Sequence, residues 1–305
     1  MHHVIKLIYT NIIYFIINKN GDYPLLHACV YENIELVKIL MDYANKNNFI
    51  LELNEKDEIG GYPLLYAIHF NYGDNFEKVK LLMEYANNNG IILELKNVKG
   101  EHPIMESIDY ENNDIIELLI EYASKNGIIL ELNGKNEVGT NLLLRAIIKN
   151  RIEKVKLLME YADKNGIILE LNEINEFGDY PLLFFIRNNN IEIVKLLLDY
   201  ANKNDIILEL NEKNVLGEYP LLLSIGNGNT NIVKLLMDYA NKNNIILELN
   251  EEDKKGDYPL SKATKNYSFR IIYLLTDYAN KNNIILKEVE KESFSIFSFK
   301  KLFFR

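Results

Sequence analysis

The side chains of this 305-residue chain best suited to nucleophilic or metal-centred chemistry are five histidines (His2, His3, His27, His69 and His102) and one cysteine, Cys29. Such chemistry needs its groups at set spacings, for example two histidines one helical turn apart with a glutamate between them. No His-Glu-x-x-His occurs. No glycine-rich loop ends in Lys-Ser or Lys-Thr to cradle a phosphate, and no Gly-x-Ser-x-Gly marks a nucleophile elbow. Acidic pairs such as Glu251-Glu252 fall in polar, turn-like sequence and read as solvated surface. Asn266-Tyr267-Ser268 matches a glycosylation sequon, a three-residue pattern that chance supplies often. The residues therefore point to a protein that is not an enzyme, with no catalytic group, cofactor or metal.

Bulk properties narrow the partners. A formal net charge of −10 disfavours nucleic acid, whose binding draws on clustered Lys and Arg. A single cysteine excludes a disulfide framework and a thiolate metal cluster, and suits a reducing, cytoplasmic setting. Hydrophobic residues at 48% are enough to bury a continuous interior.

The elements that would position any site come from an internal repeat. A glycine opens each of seven units, Gly21, Gly60, Gly100, Gly139, Gly178, Gly217 and Gly256, in steps of 39 residues with a single step of 40. A solenoid grows by stacking such units, so length alone does not count its domains. All six prolines (Pro24, Pro63, Pro103, Pro181, Pro220 and Pro259) occupy one repeat position, three residues after the glycine. Glycine there supplies a positive φ at a turn, and proline opens a helix whose first N–H groups need no partner. The spacing predicts a short helix from Leu182 to about Arg187 and a longer one from about Glu192 to Asn204, with Ile193, Val194, Leu197 and Ala201 on one apolar face.

Twenty-seven residues after the glycine stand Asn48, Gly127, Gly166, Asp205, Asn244 and Asn283, with Gly90 in the equivalent place of the second unit. Only residues that tolerate the left-handed conformation appear, which predicts a helix C-terminal cap in every unit. The alternation Ile206-Ile207-Leu208-Glu209-Leu210 predicts an extended segment leading to the next turn. Unit two carries three extra residues around Asn71 to Asn75 and loses two before Gly100.

Gly-x-Tyr-Pro-Leu-Leu-x-Ala followed by Ile-Glu-Ile-Val-Lys-Leu-Leu resembles the ankyrin repeat, as does Asn211-Glu212-Lys213-Asn214 before the next turn. The resemblance covers about residues 21 to 285 and implies an all-α, ankyrin-type helical repeat solenoid with short hairpin connections. Two features depart from the family. Tyr, or His102 and Asn141, replaces the family's Thr, and Leu, Met or Ser replaces its His, so the Thr–His hydrogen bonding of that turn is not carried over. The unit is also longer than the common 33 residues, with about one extra helical turn in the second helix. The recurrent Tyr43, Tyr85, Tyr122, Tyr161, Tyr200, Tyr239 and Tyr278 fall beside that turn and are expected to pack between neighbouring second helices. Cys29 aligns with a small, buried family position.

The resemblance also implies that binding uses the hairpin tips and the exposed side of the short helices, which lines a concave groove in the family. A core position should repeat, whereas a recognition position should vary. Six residues after the glycine stand His27, Tyr66, Glu106, Arg145, Phe184, Leu223 and Lys262, seven residue types in seven units. Nine residues after it, His69, Asp109 and Arg187 belong to an equally varied row. Just before the glycine, Ile59, Val138, Phe177 and Leu216 place apolar residues at tips that should face solvent, either covered by neighbouring hairpins or extending the binding surface. These fourteen residues are the candidate contact surface for an unidentified protein partner, in a chain expected to be a monomeric scaffold or recognition module.

The ends differ. Residues 1–20 read as a degenerate capping half-repeat or a weak signal sequence, because the apolar run from Val4 to Ile17 is shorter than the ~20 residues of a membrane span. Residues 290–305, with five phenylalanines and a Lys-Lys pair, read as a cap on the seventh unit, a partner-binding peptide, or a basic-aromatic membrane-surface anchor. The last supports an alternative function, a structural or membrane-tethering element acting through its tail.

Overall fold

The computed structural model describes residues 23–31, 34–70, 74–95, 103–109, 113–135, 140–175 and 177–289. The expectations for residues 1–20 and 290–305, the turns at Gly21, Gly100 and Gly139, and the insertion at 71–73 lie outside them. Among the described residues there are fourteen helices and no strand. They form seven pairs. In the first unit, α1 (Pro24–Val30) precedes α2 (Ile34–Lys46), and in the second α3 (Pro63–His69) precedes α4 (Asn75–Asn89). Next come α5 (Pro103–Ser107) and α6 (Asp114–Lys125), then α7 (Leu142–Ile148) and α8 (Ile152–Asn165). The last three pairs are α9 (Pro181–Arg187) with α10 (Ile191–Lys203), α11 (Pro220–Gly226) with α12 (Thr230–Lys242), and α13 (Pro259–Lys265) with α14 (Phe269–Lys281).

The chain divides into two compact units, Met1–Leu169 and Glu170–Arg305. In each unit a short helix packs on its own long helix, short helices pack on short, and long on long. The short helix α9 buries Leu182, Leu183, Phe185 and Ile186, leaving Phe184 half-exposed. The long helix α10 buries Ile193, Val194, Leu197 and Ala201 as the periodicity predicts, and adds Leu198 and Tyr200. The helix starts follow from local sterics. Each described proline sits in the first turn, and where a tyrosine precedes it, at Tyr23, Tyr62, Tyr180, Tyr219 and Tyr258, that tyrosine is extended, the conformation favoured before proline (Tyr180 φ −114°, ψ 166°).

All seven predicted C-terminal caps are left-handed, with φ between 54° and 68° at Asn48, Gly90, Gly127, Gly166, Asp205, Asn244 and Asn283. The described hairpin glycines Gly60, Gly178, Gly217 and Gly256 also have positive φ. Gly217 needs its missing side chain for a second reason. A Cβ there would lie 3.0 Å from the backbone of Asp253 and Lys254 in the following hairpin. Each of the four hairpins at these glycines is closed by an Asn or Asp (Asp57, Asn175, Asn214 and Asp253) whose Oδ1 accepts two backbone N–H groups, as Asn214 does from Leu216 and Glu218 at 2.9 Å each.

The extended segments are present but make no backbone ladder with one another; side chains take its place. The hydroxyl of Tyr239 accepts from Leu208 N–H (3.3 Å) and donates to Ile206 C=O (2.8 Å). Asn172 donates to Ile207 C=O (2.8 Å) and accepts from Glu209 N–H (3.2 Å). One segment thus has four successive polar backbone groups satisfied by a tyrosine from the repeat after it and an asparagine from the repeat before it. Tyr278 and Asn211 do the same for Ile245 through Glu248. In the first unit, Tyr122 and Tyr161 serve Ile91–Leu93 and Ile128–Leu130. The recurrent tyrosines therefore do more than pack between long helices. Burying the ring while bonding the hydroxyl is what lets tyrosine occupy a core-facing position.

The other recurrent tyrosine, in Tyr-Pro, reaches forward. Tyr23, Tyr180, Tyr219 and Tyr258 donate to backbone carbonyls of the next hairpin stem, at Glu55, Glu212, Glu251 and Glu288. The position that the ankyrin-like pattern gives to Thr here ties the start of a unit to the end of the same unit.

Two buried lysines depart from the apolar pattern of the long helices. Lys78 and Lys154 stand where other units carry Leu36, Ile115, Ile193, Ile232 and Ile271. Lys78 Nζ donates to Tyr31 C=O (2.8 Å) and Cys29 C=O (3.4 Å), and Lys154 Nζ to the carbonyls of Ser107 and Ile108. Each ammonium thus caps the C-terminal end of the short helix in the preceding unit, where free carbonyls and the helix dipole favour a cation. In the second compact unit, amides do this work, with Asn227 and Asn266 donating to Ile186 C=O and Ile225 C=O.

Burial, then the charge of Arg151, depresses Lys154 to about 8, with Asp109 opposing the shift. A folded-state value below the ordinary lysine value of about 10.4 means that the unfolded chain holds more protons between these limits, so stability should rise with pH across that window. Urea midpoints at pH 8 and pH 10 should therefore rise for the wild type relative to Lys154→Met, and parallel behaviour of the two would contradict this reading.

Candidate functional site

The fourteen candidate residues fall on two surfaces of the repeats. The row six residues after the glycine (His27, Tyr66, Glu106, Arg145, Phe184, Leu223 and Lys262) is half-exposed in every unit. A turn of a seven-residue helix explains this. Its neighbours on either side are buried, so this one position looks outward. Of the second row, His69 is exposed, while Asp109 and Arg187 are half-exposed. At the tips, Ile59, Phe177 and Leu216 are 61%, 56% and 54% exposed. Val138 lies outside the described residues.

Polar members of these rows pair with one another or with the hairpins. In the first compact unit, His69 Nδ1 lies 3.0 Å from Glu106, and Arg145 makes a two-pronged contact to Asp109 at 3.0 and 2.8 Å. Arg145 also approaches Glu106 at 3.8 Å, and Arg151 donates to Asp109 C=O. Four candidates from three repeats thus form one ladder. In the second, Arg187 bridges Asp179 and Glu218, which Asn214 joins through its amide. Lys262 and Lys265 both contact Asp257, at 2.6 and 2.5 Å.

The acidic partners were missed, although a signal existed. The residue just after the glycine is acidic in five of seven units, at Asp22, Glu101, Asp179, Glu218 and Asp257. Where it is Gly61 instead, Tyr66 lies across the vacated space, so that a Cβ on Gly61 would collide with its ring. The Tyr66 hydroxyl then takes Asp57 at 2.5 Å. Variation in the row of Tyr66 is thus coupled to variation at the hairpin.

The apolar members have no such partners. Neighbouring tips are joined by backbone bonds, Val215 N–H to Phe177 C=O and Lys254 N–H to Leu216 C=O, both 3.1 Å. These bonds hold the hairpins together but leave Phe177, Val215 and Leu216 exposed. The tips do not cover one another's side chains. Ile174, on the stem of the same hairpin, adds a fourth exposed apolar residue that the pattern of variation did not single out.

No helix among the described residues is long and apolar enough to cross a membrane. None of their His, Cys, Asp and Glu side chains gather into a group fit to hold a metal. Cys29 is fully buried, and burial pushes its thiol up to about 12, so it is not a nucleophile at neutral pH.

Comparison with known proteins adds to this geometry. A family model described as ankyrin repeats in three copies matches residues 1–91, 64–168 and 165–245. The chain belongs to the ankyrin repeat family. The crystal structure of the ankyrin repeat domain of Bcl-3, a member of the IκB protein family, is similar at a TM-score of 0.56 and 21% identity, covering 85% of this chain and 100% of that one. At this identity the likeness shows the fold alone. No curated protein sequence matches the chain. The all-α ankyrin architecture expected from the repeat is the one observed, and ankyrin repeats serve generally as protein–protein interaction modules.

The ladder in the first unit yields a pH test. Burial raises the Asp109 carboxyl, but the hydrogen bond and charge of Arg145, with Lys149 and Arg151, more than offset this and hold it below the ordinary carboxylate value. A depressed folded-state value gives stability that is present above the unfolded value and lost as pH falls through the folded one. Acid titration followed by circular dichroism should show a shallower loss of stability below about pH 4 in Asp109→Asn than in the wild type; identical slopes would contradict the pairing.

Proposed function

We propose that this ankyrin repeat protein is a recognition module that binds a partner protein through its hairpin tips and the outward row of its short helices. The observation that carries this is the apolar surface of the second compact unit. Phe177, Val215 and Leu216 project from two joined tips, and Phe184 and Leu223 stand half-exposed on the helices that follow them. Exposed aromatic and aliphatic side chains on rigid elements are the anchors that interfaces bury. Left-handed glycines and Asn-capped turns hold the tips in place, so little ordering is needed on binding.

The surrounding charges fit a selective role. Arg187 is held between Asp179 and Glu218, with its guanidinium raised by those contacts. A partner must match both the apolar patch and its charged margin, which favours discrimination between partners over raw affinity. Tethering through residues 290–305 is the second reading; those residues lie outside the described ones and no other observation favours it.

Affinity capture with mass spectrometry tests the proposal. Proteins recovered by the wild type should be lost with Phe177→Ser/Leu216→Ser and with Phe184→Ala/Leu223→Ala, and kept with Lys195→Ala/Asp238→Ala on the long helices. Recovery of the same proteins by all of these variants would overturn it.

A further inference from the structure

A second surface, away from the tips and short helices, has the opposite pattern of variation. In every unit the second residue after the left-handed cap is isoleucine, at Ile50, Ile92, Ile129, Ile168, Ile207, Ile246 and Ile285, and in every unit it is exposed. Other exposed positions that recur from unit to unit are charged, such as Lys46, Lys125, Lys164, Lys203, Lys242 and Lys281, whereas this one is a large apolar side chain left in solvent seven times over. In an extended segment, residues two apart share a face. In the second compact unit, Ile207 and Glu209 therefore point outward together while Leu208 and Leu210 are buried, and Ile246 with Glu248 repeats the arrangement. The side-chain links fix the spacing of these segments, because Asn211 of the first bonds both Ile246 C=O (2.8 Å) and Glu248 N–H (3.1 Å) of the second. Ile285, 90% exposed, continues the row, again held from the preceding segment by Asn250.

Beside the isoleucines, the carboxylates of Glu209 and Glu248 are exposed and have no cationic partner among the described residues. This contrasts with the charges near the short helices, where Asp179, Glu218 and Asp257 are all paired. An aliphatic row flanked by unpaired carboxylates, on a framework that repeats it at a fixed interval, is complementary to aliphatic side chains interspersed with Lys or Arg. We propose that the face carrying Ile207, Ile246, Glu209 and Glu248 is a second docking surface, and that its occupant is a basic amphipathic protein segment. The isoleucines bury its apolar side, and the glutamates meet its cations and set its orientation.

Fluorescence anisotropy with the full chain and a labelled amphipathic Leu/Lys peptide of about five helical turns, against a scrambled peptide of the same composition, tests this. The amphipathic peptide should bind more tightly than the scrambled one. Ile207→Ser/Ile246→Ser and Glu209→Gln/Glu248→Gln should each weaken it at least tenfold, and Phe177→Ser/Leu216→Ser should leave it unchanged. Because the four substituted side chains are exposed, thermal midpoints of these variants should match the wild type, which separates lost binding from lost folding. Equal binding of the scrambled peptide, no effect of the isoleucine pair, or an equal effect of the tip pair would each overturn the proposal. So would a concentration-dependent self-association abolished by Ile207→Ser/Ile246→Ser, since the occupant would then be a second copy of the chain. Loss of the partners captured through the tips would bear on the recognition surface alone and leave this one standing.

Discussion

An extended segment that is not part of a sheet leaves its backbone N–H and C=O groups in need of partners, and in this protein the neighbouring repeats supply them. Ile206 C=O and Leu208 N–H take the hydroxyl of Tyr239, and Ile207 C=O and Glu209 N–H take the amide of Asn172. Leu208 is buried beneath these bonds, and an unmet buried N–H costs about 1–3 kcal/mol. The consequence runs in both directions along the repeats. Within each compact unit, the polar accounting as well as the apolar packing therefore ties a repeat to its neighbours, in keeping with the nearest-neighbour character of repeat proteins. The longer repeat makes this possible by setting a tyrosine near the end of each long helix, within reach of the segment before it.

The same logic places the surface residues. Short helices are at most seven residues long, and all but the one at Leu142 begin at proline, so most positions are buried and one central side chain is left to look outward. Hairpins are held by left-handed glycines and Asn or Asp caps, and Gly217 has the following hairpin pressed against it. The result is a set of rigid positions whose side chains can change without disturbing the core. In the first compact unit they carry a charged ladder through His69, Glu106, Arg145 and Asp109; in the second they carry an apolar patch beside paired charges. Two such different surfaces on one kind of framework show that these positions can change character without altering the fold.

Most of the fold was legible in the sequence because its signals are local. Gly-x-Tyr-Pro marks the hairpin and helix start in five of the seven units, and Gly, Asn or Asp at the cap position marks the end of each long helix, so the structure differs by only a residue or two at the helix limits. What escaped was contact between residues a full repeat apart. Asn211 reads as part of a hairpin stem, yet its partners Ile246 and Glu248 are 35 and 37 positions away. Lys78 and Lys154 interrupt the apolar face of a long helix, and nothing local in the sequence shows that they cap carbonyls of the preceding unit. The candidate surface was legible as a set of variable positions, but not the pairing that couples Arg145 to Asp109 or Arg187 to Asp179 and Glu218. A variable position reveals freedom from the core; it does not reveal which neighbour the side chain meets.

The tyrosine links can be tested without disturbing packing, because phenylalanine keeps the ring and removes only the hydroxyl. In equilibrium urea unfolding, Tyr239→Phe should lower stability by about 1–3 kcal/mol, while Tyr273→Phe, whose ring is exposed, should leave it unchanged. Equal stability of Tyr239→Phe and the wild type would contradict a stabilising polar link between repeats through the tyrosine hydroxyl.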